Sequence, residues 1–223
     1  DVRDTQLLAK TLKNHNVEAV IHFAGLKSVK ESVDRPLDYY ACNVQGTMSV
    51  VAAMAIANIH TLIFSSSATV YGEPVYLPFD EKHSTCPVNP YGRSKLYVEQ
   101  MLLDLTDSDP VWRVVCLRYF NPIGAHLSGL IGEEPNGIPD NLIPYICQAV
   151  AGHQPELKVF GQDYPTRDGT GVRDYIDVND LALGHVLALK YLLHHRGWQA
   201  INLGMGKGAS VLEVIDAFER VNK

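Results

Sequence analysis

The sequence has 223 residues, of which 46% are hydrophobic and 20% charged, as in an ordinary globular protein that buries a sizeable core. Its formal net charge of -6 comes from 25 acidic and 19 basic residues without a basic run, which argues against nucleic acid as a partner. No apolar stretch approaches a membrane span and no leader-like segment opens the sequence, so we expect a cytoplasmic protein with no membrane association.

Strand-like and helix-like segments alternate in the first half of the chain. Apolar runs predict buried strands over 17–23, 61–66 and 111–120. Apolar periodicity predicts helices over 31–58 and 91–105, the second preceded by a loop rich in Pro, Thr and Asn over 73–90. This alternation predicts an α/β fold with a doubly wound parallel sheet.

The composition of the sequence changes after Asn121. Glycines and prolines punctuate the chain as far as Pro139, and shorter elements follow. The pattern predicts helix 141–151, strand 157–160, loop 161–172, helix 178–195, strand 200–203 and helix 210–221. A smaller lobe that covers a substrate is the natural interpretation of this half.

The segment Gly204–Gly208 lies between a predicted strand and a predicted helix, as a dinucleotide-binding turn does. Its spacing is G-x-G-x-G, without the two-residue gap before the third glycine. No acidic residue follows at the distance needed to hold a ribose. We interpret it as a tight structural turn.

Neither the cysteines nor the histidines are spaced as metal ligands. The four cysteines are widely separated and lack a C-x-x-C pair: Cys42, Cys86, Cys116 and Cys147. Reduced thiols are therefore favoured over disulfides or zinc. The adjacent His194 and His195 would point in different directions from a helix. We predict no metal site.

Tyr91 and Lys95 stand at positions i and i+4 near the start of a predicted helix, hence on one face. An ammonium near a phenol favours the phenolate and lowers the tyrosine pKa toward neutrality, which creates a base for a hydroxyl proton. Taken alone, the pair is more typical of an exposed Tyr/Lys pair on a helix surface.

A cluster of hydroxyls strengthens the catalytic interpretation of this pair. Ser65, Ser66, Ser67 and Thr69 lie at or just beyond the carboxyl end of a predicted strand. Ligands bind at that edge of open parallel sheets. Ser67 would hydrogen-bond the same substrate hydroxyl that Tyr91 deprotonates, although such serines also serve in turns. The order strand, serine, tyrosine, lysine is much more specific than its parts.

Six short segments of the sequence, which include this Ser/Tyr/Lys pattern, are distinctive: Phe23–Lys27, Ser65–Gly72, Tyr91–Lys95, Arg118–Pro122, Gly137–Pro139 and Gly169–Ile176. Together they resemble the UDP-glucose (UDP-galactose) 4-epimerases of the extended short-chain dehydrogenase/reductase family. The resemblance runs over essentially the whole chain. Tyr-x-x-x-Lys is shared across that superfamily, whereas the first, second, fourth and last segments are close to family-specific.

The resemblance implies NAD as cofactor. It divides the chain into a Rossmann-type NAD-binding region, 1–121, and a mainly nucleotide-sugar-binding lobe, 122–223, from which some segments return to the sheet. It implies a catalytic triad of Ser67, Tyr91 and Lys95, with Tyr91 as base for the sugar 4-hydroxyl. The implied cofactor-binding residues are Asp1, Val2, Phe23, Ala24, Gly25, Lys27, Tyr91, Lys95 and Tyr119.

The substrate-binding residues that the resemblance implies are Lys27, Ser67, Ala68, Thr69, Asn121, Asn141, Leu142, Val159, Phe160 and Arg173. Arg173 suits the diphosphate because a guanidinium meets phosphate oxygens with paired hydrogen bonds. Its alternative is an ion pair with Asp174. Phe160 is expected against the uracil and is otherwise a core residue.

The family's pattern extends beyond both ends of this sequence. Its opening strand with a Gly-x-x-Gly-x-x-Gly phosphate loop is missing before Asp1, and so is its C-terminal section, so we expect a chain truncated at both ends. Asp177 stands where the family commonly has histidine, and Asp140 where asparagine is usual. The resemblance also implies a homodimer formed through a four-helix contact.

The function implied is NAD-dependent UDP-glucose/UDP-galactose 4-epimerisation, an isomerase reaction of galactose metabolism that inverts C4 of a UDP-hexose through a transient 4-keto intermediate. One alternative is another nucleotide-sugar enzyme of this type, such as a 4,6-dehydratase. A dehydratase has an Asp-Glu pair after a threonine, which is absent after Ser67-Ala68-Thr69. A silent relative that only binds nucleotide-sugars, or an inactive fragment, is the other alternative.

Overall fold

The computed structural model describes residues 1–134, 137, 139 and 141–222. The chain folds into two compact units. The first comprises Asp1–Tyr119 and Leu183–Leu203, and the second Phe120–Ala182 and Gly204–Lys223. The functional division at residue 121 stays a prediction, while the segment Leu183–Leu203 packs with the first unit.

In chain order the strands are β1 (Val20–His22), β2 (Thr61–Ser67), β3 (Arg113–Tyr119), β4 (Asn121–Ile123), β5 (Val172–Asp177), β6 (Gly197–Leu203) and β7 (Gly208–Ser210). The α-helices are α1 (Thr5–Asn14), α2 (Val29–Asp34), α3 (Pro36–Tyr39), α4 (Gly46–Ile56), α5 (Pro90–Ser108), α6 (Leu142–Val150), α7 (Val178–Leu192) and α8 (Val211–Val221). A π-helix, Tyr40–Gln45, joins α3 to α4, and a 3₁₀ turn, Ala68–Val70, follows β2.

The first unit is built on a four-stranded parallel sheet in the order β1-β2-β3-β6. Successive strand residues point to opposite faces, and both faces are buried. Phe64 and Cys116 pack with α1, α4 and α5, whereas Ile63 and Val115 pack with Ala188 and Leu192 of α7. The predicted doubly wound parallel α/β sheet is thus confirmed.

The second unit contains a three-stranded sheet in the order β4-β5-β7, in which β4 and β5 are parallel and β5 and β7 antiparallel. The Asp174 carboxylate accepts hydrogen bonds from the backbone N–H groups of Met205 (2.8 Å) and Gly206 (2.7 Å). The glycine-rich segment is therefore a turn held by a carboxylate, and it leads into β7 before α8 begins.

Several predicted elements differ from the observed ones. The helix over 31–58 is divided at Pro36, because proline lacks an N–H and pushes the preceding residue out of helical geometry. The strand over 157–160 is wrong: the segment follows Pro155, and without a paired neighbour an extended segment forms no sheet. Helix α7 ends at Leu192, earlier than predicted. Strands β4, β5 and β7 and helix α1 had not been predicted.

Among the residues that the structure describes, no helix combines the length and apolar character needed to cross a bilayer. In the same part of the chain, no three or more His, Cys, Asp or Glu side chains are grouped as metal ligands.

Candidate active site

Ser67 is the last residue of β2, at the carboxyl edge of the sheet. Its hydroxyl oxygen caps the 3₁₀ turn that follows, because it accepts hydrogen bonds from the backbone N–H (3.2 Å) and the hydroxyl (2.9 Å) of Thr69. Ser67 is buried and also hydrogen-bonds the phenol of Tyr91. Serine and tyrosine thus meet although they lie on different elements.

Tyr91 is positioned by the start of α5. Asn89 caps this helix by accepting a hydrogen bond from Gly92 N–H (2.8 Å), and Pro90 occupies its first turn. A Cβ on Gly92 would lie 2.8 Å from the carbonyl oxygen of Thr69. The absence of a side chain at Gly92 therefore lets the first turn of α5 pack directly on the segment that follows Ser67.

Lys95 lies one turn beyond Tyr91 on the same face of α5, and only 5% of it is exposed. Its ammonium Nζ donates a hydrogen bond to the carbonyl oxygen of Ser65 (2.7 Å) and lies 4.9 Å from the ring centre of Phe64 and 5.9 Å from that of Tyr91. It forms no ion pair with any residue that the structure describes. Ser67, Tyr91 and Lys95 therefore form one cluster, in which Ser67 and Lys95 are buried and Tyr91 is half-buried.

The pKa values in this cluster differ in part from the expectation for a Tyr/Lys pair. Burial raises the pKa of Tyr91, while its hydrogen bond with Ser67 acts in the opposite direction. Lys95 does not lower the pKa of Tyr91 to neutrality in this state, because burial of the phenol dominates. Burial also lowers the pKa of Lys95 to about 8, opposed by Cys42 and Cys116.

The loop after β1 carries Phe23, Ala24, Gly25 and Lys27, all four exposed. A Cβ on Gly25 would lie 2.9 Å from Asn43 Oδ1 and 3.8 Å from Lys95 Nζ, so this loop passes directly beside the buried ammonium. Asn43 of the π-helix fixes the loop: it accepts from Leu26 N–H (2.8 Å) and donates to Leu26 O (3.0 Å). Sequence analysis missed Asn43, whose only signal was an amide in an apolar helix pattern.

Tyr119 ends β3 and is directly opposite Ser67 in the parallel register. Its phenol is 2.5 Å from His185 Nε2, and the His185 ring centre lies 4.9 Å from that of Phe23. Burial raises the pKa of Tyr119. The structure therefore brings Phe23 and Tyr119 together through His185, a residue of α7 that sequence analysis did not select.

Asp1 and Val2, expected beside an adenine, lie before α1. The exposed Asp1 carboxylate pairs with Arg3 (2.6 Å), and Val2 packs against the core formed by α1, α4 and α5. Both residues lie with these partners rather than with the Ser67 cluster.

The remaining predicted substrate residues fall on both units. Ala68 and Thr69 form the turn after Ser67 in the first unit. The second unit carries Asn121 in β4, Asn141 at the N-cap of α6, Leu142 at its start, Val159 and Phe160 in a loop, and Arg173 in β5. Ile138, in the predicted Gly137–Pro139 motif, and Asp140 lie outside the described residues.

The structure excludes one alternative each for Arg173 and Phe160 in the second unit, and their roles in substrate binding stay predictions. Arg173 is exposed, and its guanidinium donates to Val172 O (2.9 Å), whereas the Asp174 carboxylate holds the glycine-rich turn. The Arg173–Asp174 ion pair is therefore wrong. Phe160 is 81% exposed, so its interpretation as a core residue is wrong.

Sequence comparison places this architecture among known proteins. Residues 1–204 match the model of the NAD dependent epimerase/dehydratase family. UDP-glucose 4-epimerase of Mus musculus is 54% identical over 224 residues, covering 100% of this chain and 64% of the mouse protein. That of Neisseria gonorrhoeae is 54% identical, covering 98% of this chain and 65% of the relative. The chain thus spans slightly less than two thirds of the length of these relatives.

Solved structures give the same result. UDP-glucose 4-epimerase from Stenotrophomonas maltophila, with bound NAD and formylated UDP-arabinopyranose, superposes with a TM-score of 0.96 at 53% identity, covering 99% of this chain and 66% of that one. The enzyme from Bifidobacterium longum, in complex with NAD+ and UDP, gives a TM-score of 0.94 at 52% identity, with the same coverage. On the strength of the family match, the Ser67-Tyr91-Lys95 cluster and the parallel sheet, this chain belongs to the NAD dependent epimerase/dehydratase family.

Proposed function

We propose that this chain carries the catalytic residues of an NAD-dependent UDP-glucose/UDP-galactose 4-epimerase, an isomerase of galactose metabolism. The observation on which the proposal rests is the Ser67-Tyr91-Lys95 cluster at the carboxyl edge of the sheet, with Ser67 and Lys95 buried. The names of the relatives supply the reaction class, and identities above 50% over nearly the whole chain support the transfer.

The residues present fit a nicotinamide cofactor. Lys95 is a buried ammonium with three donors, of which Ser65 O takes one. Such a group suits ribose hydroxyls, and the close approach of Gly25 leaves no side chain between the β1 loop and Lys95 Nζ. Phe23, Ala24, Lys27 and Tyr119 would line the same cofactor, with Asp1 and Val2 toward its adenine. When bound, NAD would accept hydride from sugar C4 and return it to the opposite face of the 4-keto intermediate.

Each residue of the cluster has a distinct task in this scheme. Tyr91 must act as the phenolate: its oxygen accepts the proton of the sugar 4-hydroxyl, which makes it a neutral phenol, and returns that proton after the sugar has turned. Ser67 holds the same hydroxyl and stabilises the phenolate through its hydrogen bond. Lys95 supplies a positive charge in a site largely closed to water.

The nucleotide-sugar side of the proposal follows the family resemblance. Ala68 and Thr69 form the turn after Ser67. With Lys27, Asn121, Asn141, Leu142 and Val159, they are the proposed sugar and nucleotide contacts. The exposed guanidinium of Arg173, without an acidic partner in the described chain, suits the diphosphate. The exposed Phe160 ring suits the face of a uracil.

We further propose that the protein is a cytoplasmic homodimer. Support comes from apolar side chains exposed on α4 and α5, including Met48, Ile56 and Tyr97. A contact between copies through these helices would bury them. Light scattering after gel filtration tests this: Met48→Lys should shift the protein toward monomer, and an unshifted mass would contradict the proposed interface.

The experiment that tests the proposed activity uses the natural protein that contains this chain. Mass spectrometry of the denatured protein should detect retained NAD, and incubation with UDP-galactose should yield UDP-glucose. A 4-keto-6-deoxy sugar as the stable product would identify a 4,6-dehydratase instead. Binding of UDP-sugar without any conversion would identify a silent relative or an inactive fragment.

A further inference from the structure

A buried ionic network lies next to the Ser67-Tyr91-Lys95 cluster. The Glu99 carboxylate accepts hydrogen bonds from Arg118 Nε (3.0 and 3.2 Å) and Nη2 (2.6 Å) and a short one from the Ser66 hydroxyl. Arg118 Nη1 also donates to the Tyr71 hydroxyl (3.0 Å). Only 2% of Glu99 and 4% of Arg118 are exposed. Removing both charges from water costs free energy that their mutual attraction largely offsets, so such a pair contributes little to stability. This points to a role of the pair other than stability.

Three members of this network, Ser66, Glu99 and Arg118, lie close in sequence to residues of the candidate site. Ser66 precedes Ser67 on β2, and Arg118 precedes Tyr119 on β3. Glu99 follows Lys95 by four positions on α5, the spacing at which opposite charges on a helix normally pair. Here they do not pair, because Arg118 occupies both carboxylate oxygens of Glu99.

This arrangement decides which cation is neutralised. Lys95 and Arg118 are both buried cations, and the buried Glu99 carboxylate, one helical turn after Lys95, accepts hydrogen bonds from Arg118 and Ser66 rather than from Lys95. Lys95 keeps an uncompensated positive charge 5.9 Å from the Tyr91 ring. An unpaired ammonium exerts a stronger field on a phenol than one that shares its charge with a neighbouring carboxylate.

We propose that Arg118 is a positioning residue that holds the Glu99 carboxylate away from Lys95, so that Lys95 retains its full charge beside Tyr91. The inference rests on the proposed function for its catalytic meaning. The arrangement of charges itself stands on the contacts of Glu99 and Arg118.

Other titratable groups also face Lys95 and Tyr91 from β1, α3, the π-helix and β3: His22, Tyr39, Cys42, Cys116 and Tyr119. Burial lowers the pKa of His22 to about 4, and burial and Glu31 raise the pKa of Tyr39 to about 12. Burial raises the pKa of Cys116 and that of Tyr119. His22, Tyr39, Cys116 and Tyr119 are therefore neutral near pH 7. On α5 itself, Glu99 is the carboxylate placed at pairing distance in sequence from Lys95.

The charge arrangement predicts opposite effects for two substitutions. Arg118→Met frees the Glu99 carboxylate, so the pKa of Lys95 should rise from about 8 by roughly one unit or more, and the pKa of Tyr91 should rise with it. Glu99→Gln leaves Arg118 as an unpaired cation, so both pKa values fall. The double variant removes both charges and should titrate within a few tenths of a unit of wild type.

The test is an NMR titration of the natural protein without bound nucleotide, labelled with ¹³C at tyrosine Cζ and lysine Cε. Tyr91→Phe and Lys95→Met identify the two signals. Arg113→Met is the matched control. Arg113 is the first residue of β3, the strand that carries Arg118 near its other end, and its guanidinium donates to the carbonyl oxygens of Leu192 and Leu193. The control makes the same change in net charge and should leave both titrations unchanged.

If Arg118→Met lowers the stability of the protein but leaves the pKa values of Lys95 and Tyr91 unchanged, the proposal is overturned. The Arg118–Glu99 pair would then have only a structural role. If Arg118→Met does not fold, Glu99→Gln compared with the double variant decides, because the proposal requires a lower Lys95 pKa in the single variant. The pH profile of turnover should move with the Tyr91 titration. A wild type without epimerase activity would refute the proposed function, while the NMR titrations would still decide the charge arrangement.

Discussion

Replacement of Lys95 by methionine should make the protein more stable and less active. Burial lowers the pKa of Lys95 to about 8, which is about 2.4 units below the ordinary value of ~10.4. At about 1.36 kcal/mol per unit, the buried charge costs on the order of 3 kcal/mol. Methionine removes that cost but loses the hydrogen bond to Ser65 O, worth about 1 kcal/mol. The expected net gain is about 2 kcal/mol at pH 7.

The pH dependence of stability provides a second signature. Because the folded pKa of Lys95 lies below its unfolded value, the unfolded state binds more protons between about pH 8 and pH 10.4. The free energy of unfolding of the wild type should therefore rise across that window through this group. In Lys95→Met this contribution should be absent.

Urea denaturation of nucleotide-free protein from pH 7 to pH 10.5 measures both effects, and turnover with UDP-galactose measures the activity. Turnover should fall at least roughly tenfold, since the charge beside Tyr91 is lost. Lys10→Met, at an exposed position of α1, is the control and should change stability by less than about 0.5 kcal/mol. A Lys95→Met variant that is clearly destabilised at pH 7 would mean that Lys95 is a structural residue, and would refute the reasoning.

Two further substitutions probe the substrate contacts and the packing of α5. Arg173→Ala should raise the KM for UDP-sugar by about tenfold or more with a smaller effect on kcat, because the contact with the diphosphate is lost. Steady-state kinetics that show a fall in kcat alone would contradict this role. Gly92→Ala should destabilise the protein by about 1–3 kcal/mol, because its Cβ would lie 2.8 Å from Thr69 O. Gly171→Ala, whose Cβ meets nothing within 4 Å, is the control, and equal denaturation midpoints for the two variants would argue against tight packing at Gly92.

The sequence predicted the parts of the fold that depend on strong local patterns. The apolar runs over β2 and β3 are buried on both faces, so their hydrophobicity is continuous and easily recognised. Strands β4 and β7 are three residues long, and their pairing with β5 depends on contacts far away in sequence. Local periodicity contains no such information, so these strands were missed and a false strand was assigned to 157–160.

The same distinction applies to the candidate site. Ser67, Tyr91 and Lys95 were predicted together because a strand end and a helix start carry them in a recognisable order. Glu99 was not selected, and Arg118 was named only within the Arg118–Pro122 segment, without a role. A glutamate in a helix and an arginine near a strand end are ordinary surface residues until the fold pairs them. The raised pKa of Tyr91 was also unforeseen, because burial depends on tertiary packing.

The central claim is that Tyr91 exchanges the proton of the sugar 4-hydroxyl. Its most direct test is the turnover of Tyr91→Phe in the natural protein, measured as interconversion of UDP-galactose and UDP-glucose with saturating NAD. Turnover should fall by about 10²–10⁴-fold with the UDP-sugar KM changed only a few-fold, because phenylalanine preserves the ring and removes only the hydroxyl. Turnover close to that of the wild type would contradict the account.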